Sequence, residues 1–585
     1  MNVTTKIALW VLLCYPITKT TAQDHPNAPD NPWLADSPWP TYHKNSARQS
    51  YSDYAGPTEE DSVVVKVLKN IKGGTSPWTY FSEAYEDGER VMLQSNATHY
   101  VKLRDSESGP EVVSKLRIDD DWLKSFNYTQ LQIKGNQWYA FDPKENPRKG
   151  LHTKLFKIGD KHPNDPNSPL QVKKVLDFGA LGIGKTQHAG VNYLGQIVFA
   201  SDNEKGKKSC TVGIISQDLE LLASMDIAPI ANNEIFGHNG FPIDEHNNFY
   251  LVTTHRLIRV DWDNENLSIG FEAKYDFVKD GPTGRWAEGS GTTPTLMGFG
   301  EGNDQLIVMA DGHAKNNFVG FWRKIPDGWQ GLPGEDTRLA GRIQLPSART
   351  FSKKFQSIEN SPTVYGYEAA IAQYNGFLGQ GDKPVKGVQK VRWDTDNDSF
   401  EISWVNTDVN LNGVLTYSVG SDMVYGSGRE NNCNYFYYGL DWATGELRFR
   451  KHLGRSCKRL FNPYDDPGDQ NIIDEDGNIF FAGGGSLVKL EIVRPSDQPA
   501  PIRVTPMPSL PREEGLNQSV LYPNPSHDFI ELPAHLADTG VKSYVTNTTG
   551  QILIESTDRK LYVGDLSPGV YLLKSGTSTI RFSKE

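Results

Sequence analysis

The stretch Asp474-Glu-Asp-Gly-Asn-Ile-Phe-Phe-Ala482 decides the fold: a turn whose Gly and Asn tolerate positive φ runs directly into apolar and aromatic positions that lack helical spacing. The same order recurs at Asp244-Glu-His-Asn-Asn248, ahead of Phe249-Tyr-Leu-Val-Thr253, and a related turn stands at Asp441-Trp-Ala-Thr-Gly445. Gln196-Ile-Val-Phe-Ala200 and Gln305-Leu-Ile-Val-Met309 are further short runs bounded by Asn, Asp or Gly. Each reads as a strand entered from a tight hairpin. Recurrence without a strict period predicts degenerate repeats, and radially arranged four-stranded sheets need just such short strands with turn chemistry at each corner.

The bulk composition points the same way. Of 585 residues 54 are Gly and 35 Pro, 11% are aromatic and only 7 are Met, the balance of a turn-rich, strand-rich chain. The expected fold is all-β: a seven- or eight-bladed β-propeller over 23–492, opening with an irregular segment to about residue 57, followed by a small C-terminal β-sandwich. That span allows seven blades of roughly 67 residues or eight of roughly 59, so insertions must ride on loops. A pair of sandwiches would need a linker near the middle of this span, and none is seen. A linker does stand at 493–514, where prolines at 495, 499, 501, 506, 508 and 511 make an extended spacer ahead of a separate module at 515–585.

The N-terminus reads as an address. Lys6 precedes the apolar run Ile7 to Ile17, and Thr20-Thr21-Ala22 offers a small-residue cleavage site before Gln23, so 1–22 is expected to be a signal peptide. A lipid anchor at Cys14 is the lesser reading, because Leu13 stands where a small residue is wanted. No later segment has the length and hydropathy of a transmembrane helix. Export places Cys210, Cys433 and Cys457 where disulfides persist; Cys433 with Cys457 is the expected pair, leaving Cys210 buried and free. With 72 acidic against 60 basic residues the net charge is −12, and no basic run exists, which argues against a nucleic-acid partner.

At the C-terminus, Leu521-Tyr-Pro-Asn-Pro-Ser526, Asp528-Phe-Ile-Glu-Leu532, Val545-Thr-Asn-Thr-Thr-Gly-Gln551, Leu566-Ser-Pro-Gly-Val-Tyr-Leu-Leu573 and Arg581-Phe-Ser-Lys584 together resemble the sorting domain of type IX secretion cargo in Bacteroidetes. The resemblance implies the type IX machinery as a partner, passage through the outer membrane, and release or attachment at the cell surface. The body resembles exported quinoprotein-like β-propellers. Trp39-Pro-Thr-Tyr-His43 with Asn45, Arg48 and Gly56-Pro57 is similar to their opening segment, and Tyr438-Gly-Leu-Asp-Trp-Ala-Thr-Gly-Glu446 to one of their repeats. Gly289-Ser-Gly-Thr-Thr-Pro-Thr-Leu296, Ala310-Asp-Gly-His313 with Asn316 and Asn317, and Ile358-Glu-Asn-Ser-Pro362 resemble a family of exported propellers of unknown function. This implies a fold and no activity. No vicinal cysteine pair or C-x-x-C-H accompanies it, so quinone-dependent oxidation lacks its marks.

Clustered polar residues are the candidate chemistry, because burying them unbonded is costly. A His/Tyr/Arg set at the channel mouth would suit β-elimination from a uronic-acid unit of an extracellular glycan. Arg256 or Arg259 would neutralise the carboxylate while one of His238 and Tyr250 removes the proton and the other protonates the leaving oxygen. Asn239, Arg285, Asp311, His313, Glu359 and Asn360 are the candidate ligand-binding residues. The alternative is a non-catalytic propeller that binds a glycan or small ligand in the same place. No cofactor is demanded, and the sequence rules out neither calcium nor a quinone. His313 beside Asp311 lacks a third metal ligand, and Asp394-Thr-Asp-Asn-Asp398 lacks the glycine and distal glutamate of a calcium loop, reading instead as a solvated turn. His43 is expected to make a structural contact where the N-terminal strand closes the ring. The absence of G-x-S-x-G and H-E-x-x-H disfavours esterase and zinc protease.

Overall fold

The computed structural model describes residues 27–69, 79–95, 99–117, 130–141, 153–202, 208–236, 240–277, 289–313, 315–348, 358–373, 386–457, 462–464, 471–483, 486–493, 529–531, 542–547, 551–557, 560–567, 569–575 and 578–584. Two units emerge, Met1–Pro508 and Ser509–Glu585.

In the first unit the described strands form eight consecutive sheets, the blades of a β-propeller. Blades 1 to 3 lie at 79–117, 130–177 and 186–227, blade 4 at 249–274, blades 5 and 6 at 295–344 and 363–406, blade 7 at 412–455 and blade 8 at 472–492. Blade 4 has three strands, and Ile243, bridged to Phe249, supplies its innermost rung. Val63–Lys69 closes the ring by pairing antiparallel with Ser486–Ile492 as the outermost strand of blade 8.

The turns that open several blades show why these residues fold so. Asp474 Oδ1 accepts the N–H groups of Asp476 (3.0 Å) and Asn478 (2.8 Å), Oδ2 accepts Asn478 Nδ2 (2.9 Å), and Gly477 takes φ +80°. Asp244 repeats the arrangement with His246, Asn248 and a left-handed Asn247, and Asn192 repeats its Oδ1 half with Leu194 and Gln196. A side-chain oxygen thus takes up the amides that a short turn strands from the ladder. Burial then grades outward. The second strands Ile197–Ser201, Leu306–Ala310 and Ile479–Gly483 are buried throughout, whereas the outer strand Leu221–Ile227 alternates. Aromatics fill the seams, as where Trp322 of blade 5 meets Trp393 of blade 6 edge-on at 5.6 Å.

The innermost strand of a blade leaves one edge of N–H and C=O groups facing the axis, a row that must be satisfied. Here the irregular segment 39–52 does so, meeting seven blades in chain order. Trp39 O accepts from Phe81 N (3.1 Å) of blade 1, and Pro40 O from Gln132 N (2.9 Å) of blade 2. Ser46 Oγ donates to Val191 O (2.8 Å) of blade 3, while Ser46 O accepts from Ile243 N (2.8 Å) of blade 4. Ala47 O takes Leu296 N (3.0 Å) of blade 5, Gln49 O takes Val364 N (2.9 Å) of blade 6, and Tyr51–Ser52 pairs parallel with Tyr417 and Ser418 of blade 7. The segment is a plug. Trp39, Tyr42, Ala47 and Tyr51 on it are buried, and a fully buried aromatic contributes about 2–3 kcal/mol.

The second unit is a small β structure: Phe529–Glu531 pairs with Lys560–Tyr562, and a four-stranded sheet runs Ile552–Ser556, Ser543–Thr546, Gly569–Ser575, Ser578–Lys584. Ile530, Val545, Leu561, Val563, Tyr571 and Leu573 make its core. The expected linker falls mostly outside the described residues.

Candidate functional site

Three of the predicted residues, His238, Asn239 and Arg285, lie outside the described residues. Tyr250 sits on the first strand of blade 4, Phe249–Val252, fully buried in a cluster with Leu257, Phe271, Leu296 and Ile307; its hydroxyl donates to Asp244 Oδ2 at 2.7 Å. Burial and the Asp244 charge push the phenol well above its ordinary range, so it holds its proton. Arg256 is 3% exposed and committed to two carboxylates, Nε to Glu234 Oε1 (2.8 Å) and Nη1 to Glu272 Oε1 (2.5 Å). Arg259 Nε meets Asp261 Oδ1 at 2.5 Å, two residues along the same strand. Tyr250 and Arg259 do stand near one another, as direct partners across adjacent strands, and the Asp244 charge bears on both.

The three Gly-, Asp- and Glu-Asn stretches are brought together between blades 5 and 6. Ser290 Oγ donates to Ala310 O (2.6 Å), Thr292 Oγ1 accepts from Ala310 N (3.2 Å), and Ser361 Oγ accepts from Thr293 N (2.9 Å). A Cβ on Gly291 would fall 2.8 Å from Glu359 Cγ, which is why that position has none. Asp311, 1% exposed, accepts from His313 N (3.1 Å), Asn317 N (2.8 Å) and Asn317 Nδ2 (2.6 Å), and burial pushes its carboxyl up to about 6. His313 is exposed, with Nδ1 3.2 Å from Lys315 O, and among the described residues no group of three or more His, Cys, Asp or Glu side chains is arranged to hold a metal. Glu359 and Asn360 are buried at this junction. Asp394 Oδ1 accepts Asp396 N (2.9 Å) and Oδ2 accepts Asn397 Nδ2 (2.8 Å), the exposed turn its sequence predicts.

His43 is placed differently from its expectation. Val63–Lys69 closes the ring, and His43 stands instead on the axial plug, fully buried, with Nδ1 2.9 Å from Ser50 Oγ. Arg48, 1% exposed, extends Nε to Phe241 O (2.9 Å), Nη1 to Tyr42 O (2.7 Å) and Nη2 to Ala189 O (3.1 Å), tying the plug to blades 3 and 4. His43, Lys44, Arg48 and Ser50 all take positive φ, between +55° and +70°, a run of left-handed non-glycine residues that persists only because the surrounding strands dictate it. The only sequence signal for this plug was a cluster of large apolar side chains within an irregular segment.

Cys433 and Cys457 form the expected disulfide, with Cα atoms 5.0 Å apart, beside the paired ends Asn434 and Arg455. Cys210 is buried and free, its thiol pushed up to about 12 by burial.

Residues 520–585 match the family described as secretion system C-terminal sorting domain. The C-terminal module is a sorting domain of that kind. Such a domain indicates export by the type IX system to the cell surface or beyond. An uncharacterized protein of Archaeoglobus fulgidus is 27% identical over 439 residues, covering 70% of this chain and 79% of its own. Among solved structures, a europium-containing methanol dehydrogenase is 9% identical with TM-score 0.47, covering 79% of this chain and 99% of its own. The periplasmic gluconolactonase of Pseudomonas aeruginosa is 10% identical with TM-score 0.36, covering 68% and 100%. In the described part of the structure, no helix is long and apolar enough to cross a membrane.

Proposed function

We propose that the exported propeller is a non-catalytic binding module for an extracellular glycan or small polar ligand, presented after passage through the outer membrane. One observation carries the reading: the side chains that β-elimination would need are already engaged within the fold. Tyr250 donates to Asp244, Arg256 is neutralised by Glu234 and Glu272, and Arg259 by Asp261. A carboxylate-binding Arg must have spare charge and a phenol that relays a proton must be free of a competing carboxylate, and among the described candidates neither condition is met. Binding makes no such demand, and the polar junction of blades 5 and 6, with Asp311, His313, Glu359 and Asn360, supplies acceptors and donors for hydroxyl groups.

The test is incubation of the mature chain with neutral and uronate-containing glycans, following binding by calorimetry and the absorbance of a new C=C bond in parallel. Saturable binding without absorbance change supports the module. Absorbance that grows with time and vanishes in His238→Ala overturns it in favour of elimination, and an absence of binding across the panel overturns it outright.

A further inference from the structure

We propose that the plugged axis holds a small monovalent anion, either chloride or the carboxylate of a small organic acid, between Arg48 and His43. Two independent observations converge. The first is a buried charge without a counter-charge: Arg48 donates to three carbonyl oxygens, and among the described residues no carboxylate pairs with it. Carbonyl dipoles carry only partial charge, and an ion removed from water without a full counter-charge is unfavourable by several kcal/mol. Nη1 and Nη2 each spend one N–H on a carbonyl and each carries a second.

The second observation is His43. Nδ1 faces Ser50 Oγ at 2.9 Å, while Nε2 is buried with no hydrogen-bond partner. With the Ser50 hydroxyl donating to Nδ1, the ring proton stands on Nε2 and makes it a donor in search of an acceptor. Burial and the charges of Arg48 and His188 hold the ring neutral, and the same coupling shows that His43 lies within the electrostatic reach of Arg48. One cation and one neutral donor suit a single negative charge. A dianion such as sulfate would carry an unmatched second charge into the interior. The Ser50 contact on His43 and the three carbonyl bonds on Arg48 hold both side chains in place beforehand, which lowers the ordering cost of binding.

The full mature chain is dialysed into a bulky sulfonate buffer at fixed ionic strength, and sodium chloride, formate or acetate replaces the sulfonate in steps while thermal unfolding is followed. The expected result is saturable stabilisation, the folding constant rising about 100-fold at an anion concentration 100 times Kd. Saturation by chloride alone identifies a halide site, and competition by formate or acetate identifies a carboxylate site. His43→Phe, which fills the ring volume without Nε2, is expected to weaken the anion about 10-fold, whereas a response identical to that of wild type overturns the proposal as a bulk salt effect. Should His43→Phe fail to fold, wild-type crystals soaked in bromide and, separately, in bromoacetate decide: an anomalous peak between Arg48 and His43 in either soak supports the site, and none there in both overturns it.

Discussion

Replacing Arg48 by Met separates what the plug contributes from what its charge costs. Met keeps most of the stem volume and abolishes three bonds to buried carbonyls, of Phe241, Tyr42 and Ala189. Leaving each carbonyl unpaired costs about 1–3 kcal/mol, or roughly 3–9 in all. Against that, the guanidinium no longer has to be desolvated, a gain of several kcal/mol. The net loss expected is about 2–4 kcal/mol, a large share of the stability of a typical domain. Arg48→Lys sharpens the test: an ammonium keeps the desolvation penalty but, as a compact charge, cannot reproduce the fork that reaches three separated oxygens. In a buffer free of small anions Lys is therefore expected to be the more damaging substitution. Urea unfolding followed by Trp fluorescence measures both. A Met variant within about 0.5 kcal/mol of wild type, or a Lys variant more stable than the Met one, would refute the reasoning.

Two further outcomes follow from the same structure. Removing the Cys433–Cys457 disulfide by the double Ser substitution frees a loop with a sequence separation of 24 and is expected to lower stability by about 3 kcal/mol in denaturant unfolding, while buried Cys210 stays unalkylated until the chain unfolds; an unchanged midpoint would contradict the first part. Asp311 has a folded pKa raised to about 6 from an unfolded value near 3.9, so its protonation stabilises the fold fully below about pH 4 and that contribution is lost as pH rises through about 6, amounting to about 3 kcal/mol. Asp311→Asn should thus cost more at pH 4 than at pH 8, as measured by urea midpoints, and an equal cost at both would contradict this.

What could be read from the sequence and what could not divide along a physical line. The Asp474–Asn478 and Asp244–Asn248 turns are local: each Asp oxygen binds amides two and four residues on, so composition and order alone predict the hairpin and, by repetition, the propeller. The sorting module was legible for the same reason, since its motifs are contiguous. The plug was not, because its bonds span from about 40 residues (Trp39 to Phe81) to more than 300 (Gln49 to Val364) and its register is set by the strand edges it meets rather than by its own sequence. The surroundings of the described catalytic candidates escaped the sequence for a related reason. Tyr250, Arg256 and Arg259 were grouped by nearness in sequence; Tyr250 and Arg259 are paired across adjacent strands, whereas alternation along Arg256–Trp262 sends Arg256 to the other face, and every one of them found a carboxylate close by: Asp244 six residues away, Asp261 two residues away, Glu234 across a loop. In an acidic chain an exposed or half-buried Arg is soon neutralised by its own fold. Arg48 is a buried cation that escapes this among the described residues, held on the axis by carbonyl oxygens from strand edges, and it is there that an external negative charge has something to add.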